Sequence, residues 1–412
     1  MVTERSHAGR EDLRMVENPN LETREVNLFD PEVAACPQTV YRRMLAGCPV
    51  AKSAIGGAPI LSRYEDVSWA LRHPEIFSSA MDLQIALGTE RPMIPQQIDP
   101  PQQTKYRKIL DPRFSKKRMM ELVPDVRAEA NALIDQFIDD GECEFDSAFA
   151  IPLPCNAFLH LMGLPTGELD SFLRMKDGII RPHTLTDDVE KMQEIRVQTG
   201  KDIYAYFEDL IAERRKNPRS DLMTHLTEAE LEGEKLSHNE ILDICFLFLL
   251  GGLDTVTATL GCSIAFLAEN PEQRRRLLEN DELLDGAVEE LLRWETPVAG
   301  VPRLLKQDVE IGGIELKEGE LVTLLLGAAN VDAEEFTDPE KVDFAREGNR
   351  HLAFGGGAHR CLGSHLARME LRVALEVWHK RIPHYSVKPG ETPSYSPAIR
   401  EVQYLPLVWP AN

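Results

Sequence analysis

A glycine-rich segment near the C-terminus carries a cysteine whose surroundings suit a metal-bound thiolate. The segment reads FGGGAHRCLG over residues 354–363 and precedes a predicted helix, so that Cys361 falls at the start of that helix. Glycines let the backbone approach a flat ligand closely, and the free amides of a helix N-terminus stabilise a thiolate. The segment is equally compatible with an ordinary turn and a buried structural cysteine. A phosphate-binding loop is excluded because no Gly-Lys-Ser/Thr follows the glycines.

A second unusual segment, LLGGLDTV at residues 249–256, lies in the middle of a long apolar helical pattern. A glycine costs about 1 kcal/mol relative to alanine in a helix interior, and an unpaired buried carboxylate costs more. Thr255 could simply bond back to the carbonyl of Gly251 and bend the helix. Such a locally inconsistent segment inside a strong helix is also where function is expected, because the distortion could open a groove for small molecules.

A third pair, Glu290 and Arg293, lies three residues apart on one face of a predicted helix. On its own this spacing is typical of a surface ion pair worth a few tenths of a kcal/mol.

The elements that must position these residues are mostly helical, and they predict a mainly α protein with a small β region. The capping box at Ser237 begins the longest helix, predicted to continue to Asn270, where Pro271 ends it. Shorter helices are predicted at 64–73, 103–110, 124–139, 192–215, 271–278 and 282–294. Short strands are predicted at 59–61, 309–314, 321–325 and 404–409.

The composition is that of an ordinary globular protein, with 43% hydrophobic and 28% charged residues. No linker or repeat divides the 412 residues, which predicts a single domain over residues 21–412 and a disordered tip at 1–20. A net charge of −22 argues against a nucleic-acid partner. Acidic residues interrupt the apolar helix, so no membrane anchor is expected.

The cellular compartment is predicted from the N-terminus and the cysteines. Residues 1–20 have no apolar core of a signal peptide, which indicates a cytoplasmic protein. The 7 cysteines are an odd number without CxxC pairs, which favours free thiols.

The cysteine segment matches the pattern F-G-x-G-x-H-x-C-x-G and resembles the cysteine loop of the cytochrome P450 family. Asp254-Thr255 resembles the acid–alcohol pair of that family, Glu290 to Arg293 its E-x-x-R motif, and residues 99–107 its propionate-binding helix start. These motifs follow one another in the family's order. The chain is most similar to soluble bacterial members of the camphor-hydroxylase type. The resemblance implies the cytochrome P450 fold, with haem between the long central helix and the cysteine-ligand loop.

The resemblance also implies a role for individual residues. Cys361 would be the iron ligand of haem b, and Asp254 and Thr255 would deliver protons during dioxygen activation. Glu290 and Arg293 would form a buried structural network near the cysteine loop. The residues implied to contact haem are Arg107, Arg303 and His359 at the propionates, with Phe354 and Gly355; Gln103 stands where many members have histidine. The residues implied to line the substrate pocket are Leu247, Leu250, Gly251, Val298, Val301 and Ile399.

The implied function is a monooxygenase that inserts one oxygen atom from O2 into a hydrophobic small molecule. Because the chain lacks a G-x-G-x-x-G fingerprint, electrons are expected from separate proteins. The resemblance implies that these are an iron–sulfur ferredoxin and its NAD(P)H-dependent reductase. A basic cluster of Arg113, Lys116, Lys117 and Arg118, preceded by Lys105, Arg107 and Lys108, is either a docking patch for that ferredoxin or a solvated helix face.

Two other functions remain as alternatives: a peroxide-driven haem enzyme, and a non-enzymatic haem sensor or ligand carrier. The Asp254-Thr255 pair argues against both, because neither needs a proton relay. A terpenoid, steroid, fatty acid or aromatic substrate would suit the pocket, and the camphor-type similarity favours terpenoids.

Overall fold

The computed structural model describes residues 25–47, 49–81, 87–396 and 399–410. The predicted disordered tip, residues 1–20, therefore lies outside the described residues. The helices are α1 Pro31–Ala35, α2 Pro37–Ala46, α3 Tyr64–Arg72, α4 Gln102–Leu110, α5 Lys116–Met120, α6 Val123–Ile134, α7 Pro152–Met162, α8 Leu169–Ile180, α9 Val189–Lys216, α10 Leu222–Glu228, α11 His238–Gly252, α12 Thr255–Glu269, α13 Pro271–Glu279, α14 Leu284–Glu295, α15 Leu326–Ala329 and α16 Ser364–Arg381.

The strands are short. They are β1 Glu25–Val26, β2 Val50–Ser53, β3 Pro59–Leu61, β4 Phe77–Ser78, β5 Glu142–Glu144, β6 Glu230–Leu231, β7 Glu234–Lys235, β8 Val301–Leu305, β9 Val309–Ile311, β10 Ile314–Leu316, β11 Leu321–Leu324, β12 Ser386–Val387, β13 Ser394–Tyr395, β14 Val402–Tyr404 and β15 Pro406–Val408. The largest sheet has the order β1-β2-β3-β11-β8-β4, and β12, β15 and β5 form a second one. The prediction of a mainly helical protein with a small β region is confirmed.

The core lies among α6, α12, α14 and α16, where helical apolar faces meet. At its centre the fully buried Trp378 of α16 is surrounded by aromatic rings. Its partners Phe145 and Tyr385 meet it edge-on, at centroid distances of 4.7 and 5.8 Å. Because α16 begins directly after the cysteine segment, this packing holds the cysteine loop against the body of the protein.

The long central helix differs from its prediction. The capping box forms as expected: Ser237 Oγ accepts from the Glu240 amide at 3.2 Å, and Glu240 Oε2 accepts from the Ser237 amide at 2.6 Å. The helix is not continuous to Asn270, however, because Leu253 and Asp254 leave the helical path between α11 and α12. The two glycines before the break make the helix weakest at this point.

Two predicted strands also differ from the structure. The strand expected at 309–314 is a hairpin of β9 and β10, because Gly312 and Gly313 adopt positive φ angles of 54° and 81° and turn the chain. The strand expected at 404–409 is divided between β14 and β15.

One helical run, His238–Glu269 taken together, is long and apolar enough to cross a membrane by length and composition. In its most apolar window 67% of the residues are buried inside the protein. A helix covered in this way is a core helix.

Candidate active site

The cysteine loop is a tight turn that is fixed on α3. The Cys361 amide donates to the Phe354 carbonyl at 2.9 Å and closes the loop. Gly357 has a φ of 60°, and a Cβ at this position would lie 2.1 Å from the carbonyl oxygen of Leu71. Only glycine fits there, because both the backbone conformation and the close approach to α3 exclude a side chain.

Cys361 does not begin the following helix, as the sequence predicts, because α16 starts three residues later at Ser364. Burial raises the pKa of the Cys361 thiol, while the Gly363 amide and then Arg107 lower it. The thiol keeps accessible surface although the chain surrounds it closely. These donors favour the charged form, and a bound metal ion deprotonates a coordinating thiol.

Three basic residues lie close together beside the cysteine loop: Arg303, His359 and Arg107. Arg303 is 9% exposed, burial lowers its pKa to about 10, and no carboxylate of the described residues lies within 4.0 Å of it. Burial, and then the charges of Arg303 and Arg107, lower the pKa of His359 to about 4. Within the described part of the chain, His359 Nε2 is buried and has no hydrogen-bond partner. A ligand with carboxylates would satisfy Arg303 and His359, with Arg107 close by.

Arg107 and Gln103 hold the cysteine loop directly. Arg107 Nη1 donates to the Arg360 carbonyl at 2.7 Å, while its Nε pairs with Asp111 at 2.7 Å. Gln103 is 1% exposed and donates from Nε2 to the Ala358 carbonyl at 2.6 Å. Helix α4 therefore supports the loop from one side.

The Glu290–Arg293 pair lies in the interior. Both side chains are fully buried, and Arg293 donates to the two oxygens of Glu290 at 2.8 Å each. Arg346 Nε and Asn349 Nδ2 also donate to Glu290, each at 3.0 Å. Each charged atom thus has partners, which is the condition under which a buried ion pair can be retained.

Sequence reasoning missed the neighbouring Glu289, which connects this network to the cysteine loop. Glu289 accepts from Arg368 of α16 at 2.6 and 2.8 Å and lies 3.0 Å from His351 Nε2. The Arg368 guanidinium covers the ring of Phe354 at 4.4 Å. The adjacent glutamate was visible in the sequence, but its partners are 62 and 79 residues away.

The break between α11 and α12 is held by α7. Cys155 Sγ donates to the Leu253 carbonyl at 3.3 Å, and a Cβ on Gly252 would lie 2.5 Å from the ring of Phe158. Thr255 Oγ1 donates to the Gly251 carbonyl at 3.4 Å. The hydrogen bond from Thr255 to the Gly251 carbonyl that the sequence suggested is therefore present, and the helix is also interrupted at this point.

Asp254 is buried between two cations, Lys176 of α8 and Arg181, the residue that follows α8. It is 2% exposed, Lys176 Nζ donates to its Oδ1 at 2.9 Å, and Arg181 Nη2 contacts its two oxygens at 2.8 and 2.7 Å. The sequence contains a signal for Lys176, because it shares the buried face of α8 with Phe172 and Ile179. No local pattern pointed to Arg181.

Asp254 forms the base of a polar cavity of about 160 Å3. The exposed residues Thr184 and Gln403 lie at its rim, and Glu401 and Asp146 line it further in. Glu401 bonds to the same Arg181 nitrogen that contacts Asp254. Burial, opposed in part by Arg181, raises the pKa of Glu401 to about 7, and burial likewise raises that of Asp146 to about 7.

These two carboxyl groups predict a pH dependence of stability. Because their pKa values are raised in the folded state, the stability they contribute is present below pH 4 and is lost as the pH rises through about 7. Between pH 5 and 8 we expect the free energy of unfolding of Glu401→Gln to fall by about 1–3 kcal/mol less than that of the wild type. Thermal unfolding followed by circular dichroism at each pH measures it, with Glu142→Gln at an exposed position of β5 as control. Equal slopes for wild type and Glu401→Gln would contradict the prediction.

Between Ile241 and Gly251, helix α11 is buried except along one face. Ile241 to Phe246 and Phe248 to Leu249 are buried, whereas Leu247, Leu250 and Gly251 keep accessible surface, as does Thr255 at the start of α12. At Gly251 a Cβ would meet no atom within 4 Å. Val298, Val301 and Ile399 are also partly exposed. Their common pocket remains a prediction.

These observations fit a haem. The thiol of Cys361, the buried His359 nitrogen that has no partner among the described residues, the Arg303 guanidinium that has no carboxylate of those residues within 4.0 Å, and the open space at Gly251 suit an iron, two propionates and a flat ring. Bound haem supplies the iron at which dioxygen is activated.

The match to a family model covers residues 172–394, and that model describes the cytochrome P450 family. The steroid C26-monooxygenase of Mycobacterium tuberculosis is 34% identical over 378 residues, which are 90% of this chain and 91% of that protein. The methyl-branched lipid omega-hydroxylase of Mycobacterium bovis is 34% identical over 363 residues, 85% of this chain and 83% of that protein.

Solved structures are similar over nearly the whole chain. CYP109E1 of Bacillus megaterium, determined with testosterone, has a TM-score of 0.84 and 30% identity over 92% of this chain and 99% of that one. A myxobacterial cytochrome P450 determined with myristic acid has the same TM-score of 0.84, with 32% identity over 93% of this chain and 99% of that one.

The cysteine loop, the fold and the relatives agree, and they make haem the cofactor and monooxygenation the activity. The sensor and carrier alternatives are not supported, since the relatives are named as monooxygenases and hydroxylases. By its sequence and its structure, this chain belongs to the cytochrome P450 family.

Proposed function

We propose that this cytochrome P450 hydroxylates a hydrophobic small molecule in the cytoplasm, using electrons from a separate ferredoxin and its reductase. The observation that carries the substrate proposal is the accessible face of α11, formed by Leu247, Leu250 and Gly251 within a buried helix. A surface of this kind favours an apolar ligand and offers it no charged group. Val298, Val301 and Ile399 would complete the pocket.

The relatives support an extended apolar substrate. Their names refer to a steroid and to a methyl-branched lipid, and solved neighbours contain testosterone or myristic acid. The test is a panel of steroids, fatty acids and terpenoids added to the haem protein, with the spin-state shift of the Soret band as readout. A shift with an apolar compound supports the proposal, whereas shifts only with charged hydrophilic compounds would refute it.

Asp254 and Thr255 are proposed to move protons toward the reacting oxygen. Two observations support this proposal: Thr255 keeps accessible surface, and the adjacent Asp254 lines the polar cavity together with the exposed residues Thr184 and Gln403. Both oxygens of Asp254 accept hydrogen bonds from Lys176 or Arg181, so at least one of these bonds must open before the carboxylate can accept a proton.

The basic cluster supports the ferredoxin proposal in part. Arg118 pairs with Glu121 and Lys105 with Glu232, which leaves these side chains less available to a partner. Lys116 and Lys117 are exposed, and neither forms an ion pair with another described residue. Helix α5, which carries both lysines, packs against α16, the helix that follows the cysteine loop. The free charges are therefore on the cysteine side of the molecule.

We expect Lys116→Glu/Lys117→Glu to reduce the ferredoxin-supported rate about tenfold at low ionic strength, because complementary charges accelerate association. The rate of the variant should also lose its dependence on salt. The matched control is Lys191→Glu/Lys201→Glu on the exposed side of α9, which carries the same charge change. The measurement is turnover against salt concentration with an acidic ferredoxin. An unchanged rate and salt dependence would rule out docking at Lys116.

A further inference from the structure

A second cavity, of about 450 Å3, lies outside the candidate active site, beside the connection between α4 and α5. Its volume is within the range of about 300–1,000 Å3 that pockets for small organic ligands have. Three cations of one chain segment, Lys108, Arg113 and Arg118, line it together with His225 of α10 and Glu230 of β6. The proposed proton transfer and the proposed substrate pocket use none of these residues.

The lining carries an excess of positive charge, in a chain whose net charge is −22. Arg118 is already paired with Glu121 at 2.9 Å. Lys108 and Arg113, in contrast, have no carboxylate of the described residues within 4.0 Å. Glu230 is the one carboxylate among the lining residues, and it is exposed, so that solvent and salt screen its charge. Two cations are therefore available to an anionic ligand.

His225 holds the Arg113 guanidinium at the cavity. Arg113 Nη2 donates to His225 Nδ1 at 2.7 Å, so this nitrogen carries a lone pair and the imidazole is neutral. Burial, and then the charge of Arg113, lower the pKa of His225, which keeps the ring in this accepting form. A guanidinium has more N–H donors than this one bond uses, and its planar fork matches two oxygens of a phosphate group.

The rest of the lining is apolar and comes from Ile109, Pro112 and the buried Ala229. Helix α4 packs against β6, and the Lys105–Glu232 ion pair of 2.8 Å holds the β6–β7 hairpin to α4. The apolar residues thus lie on elements that are fixed to one another. An apolar wall beside two cations suits an organic ester better than a bare inorganic ion, which has no apolar surface to bury.

We propose that this cavity is a binding site for a phosphate monoester of a small organic group. At neutral pH a phosphate monoester carries a charge of about −1.5 to −2, and its oxygens accept hydrogen bonds from arginine and lysine. Lys108 and Arg113 bind the phosphate, and the apolar wall contacts the organic group. The site does not depend on the proposed function, because no residue assigned to haem or substrate lines this cavity.

The test uses the haem protein, with phenyl phosphate and inorganic phosphate as probes at low ionic strength. Isothermal titration calorimetry measures the two dissociation constants. We expect phenyl phosphate to bind about tenfold more tightly than inorganic phosphate, because its ring is buried against the apolar wall. In NMR spectra the ring resonances of His225 should shift on binding, whereas the Soret band of the haem should not.

Arg113→Gln and Lys108→Gln are each expected to weaken phenyl phosphate binding about tenfold, which is the loss of one hydrogen bond between charged groups. Glu230→Gln should strengthen it about twofold, because a negative charge near the phosphate is removed. Arg215→Gln removes one positive charge at an exposed position of α9 and is the matched control, with an unchanged dissociation constant. Should Arg113→Gln fail to fold, Lys108→Gln decides, since Lys108 is exposed.

Absence of phenyl phosphate binding at millimolar concentration would overturn the proposal, as would unchanged binding in both Arg113→Gln and Lys108→Gln. A Soret shift that saturates with the same dissociation constant would overturn it as well, because the ligand would then lie at the haem. Equal dissociation constants for the two probes would show that the apolar wall takes no part, and the ester would be excluded. If phenyl phosphate did not bind but Arg113→Gln weakened ferredoxin binding, the cavity would belong to an acidic protein partner instead.

Discussion

Cys361→Ala is expected to abolish the strongly red-shifted Soret band of the reduced carbon-monoxide complex and to lower monooxygenase turnover by at least about a thousandfold. As the ligand of a bound haem, the Cys361 thiolate would supply electron density that favours cleavage of the O–O bond, and no other described cysteine belongs to this loop. A thousandfold loss corresponds to about 4 kcal/mol of barrier. The measurement is the difference spectrum of the dithionite-reduced protein with and without carbon monoxide, followed by product formation.

Cys36→Ala is the control for this experiment, because Cys36 is an exposed free thiol near the N-terminus. It should keep the red-shifted band and normal turnover. A Cys361→Ala protein that retained the band would show that another residue ligates the iron. Loss of haem from a folded Cys361→Ala protein agrees with the assignment, since the remaining contacts are those of the propionates and the ring.

Thr255→Ala is expected to separate electron consumption from product formation. NAD(P)H oxidation should remain within about threefold of the wild type, while the yield of product per electron pair falls about tenfold and hydrogen peroxide takes its place. General acid–base catalysis contributes about 100-fold or more to a reaction rate. Without it, the reduced enzyme would release hydrogen peroxide in place of product. Thr255 keeps accessible surface, and among the described residues its hydroxyl bonds to the Gly251 carbonyl alone, so alanine disturbs little else.

Two further variants make the result specific. Thr255→Ser retains the hydroxyl and should restore most of the product yield. Thr259→Ala, one turn along α12, removes a hydroxyl that donates to the Thr255 carbonyl at 2.8 Å and should leave the yield unchanged. If Thr255→Ala formed as much product per electron pair as the wild type, Thr255 would not have the proposed role in proton transfer.

Local patterns carried much of the prediction. The capping box of α11, the turn at the cysteine and the mainly helical character depend on residues within a few positions of each other, and all are present. Glu290 and Arg293 were assigned to a buried network only through the family resemblance, because an i,i+3 pair has the same spacing on a surface. Their position inside the protein depends on Arg346 and Asn349, more than 50 residues away.

The amino-acid sequence by itself determined the family, the cysteine and the elements that carry the site. The tertiary structure decided which charges meet: Arg181 and Lys176 at Asp254, Arg91 at Asp243, and Arg368 at Glu289. It also decided that the central helix breaks at Leu253, where Cys155 and Phe158 of α7 press against it. Hydrophobic periodicity reports which face of a helix is buried, but a buried charge is stable only if a partner from another element reaches it. That partner is set by how the helices pack, and no local spacing records it.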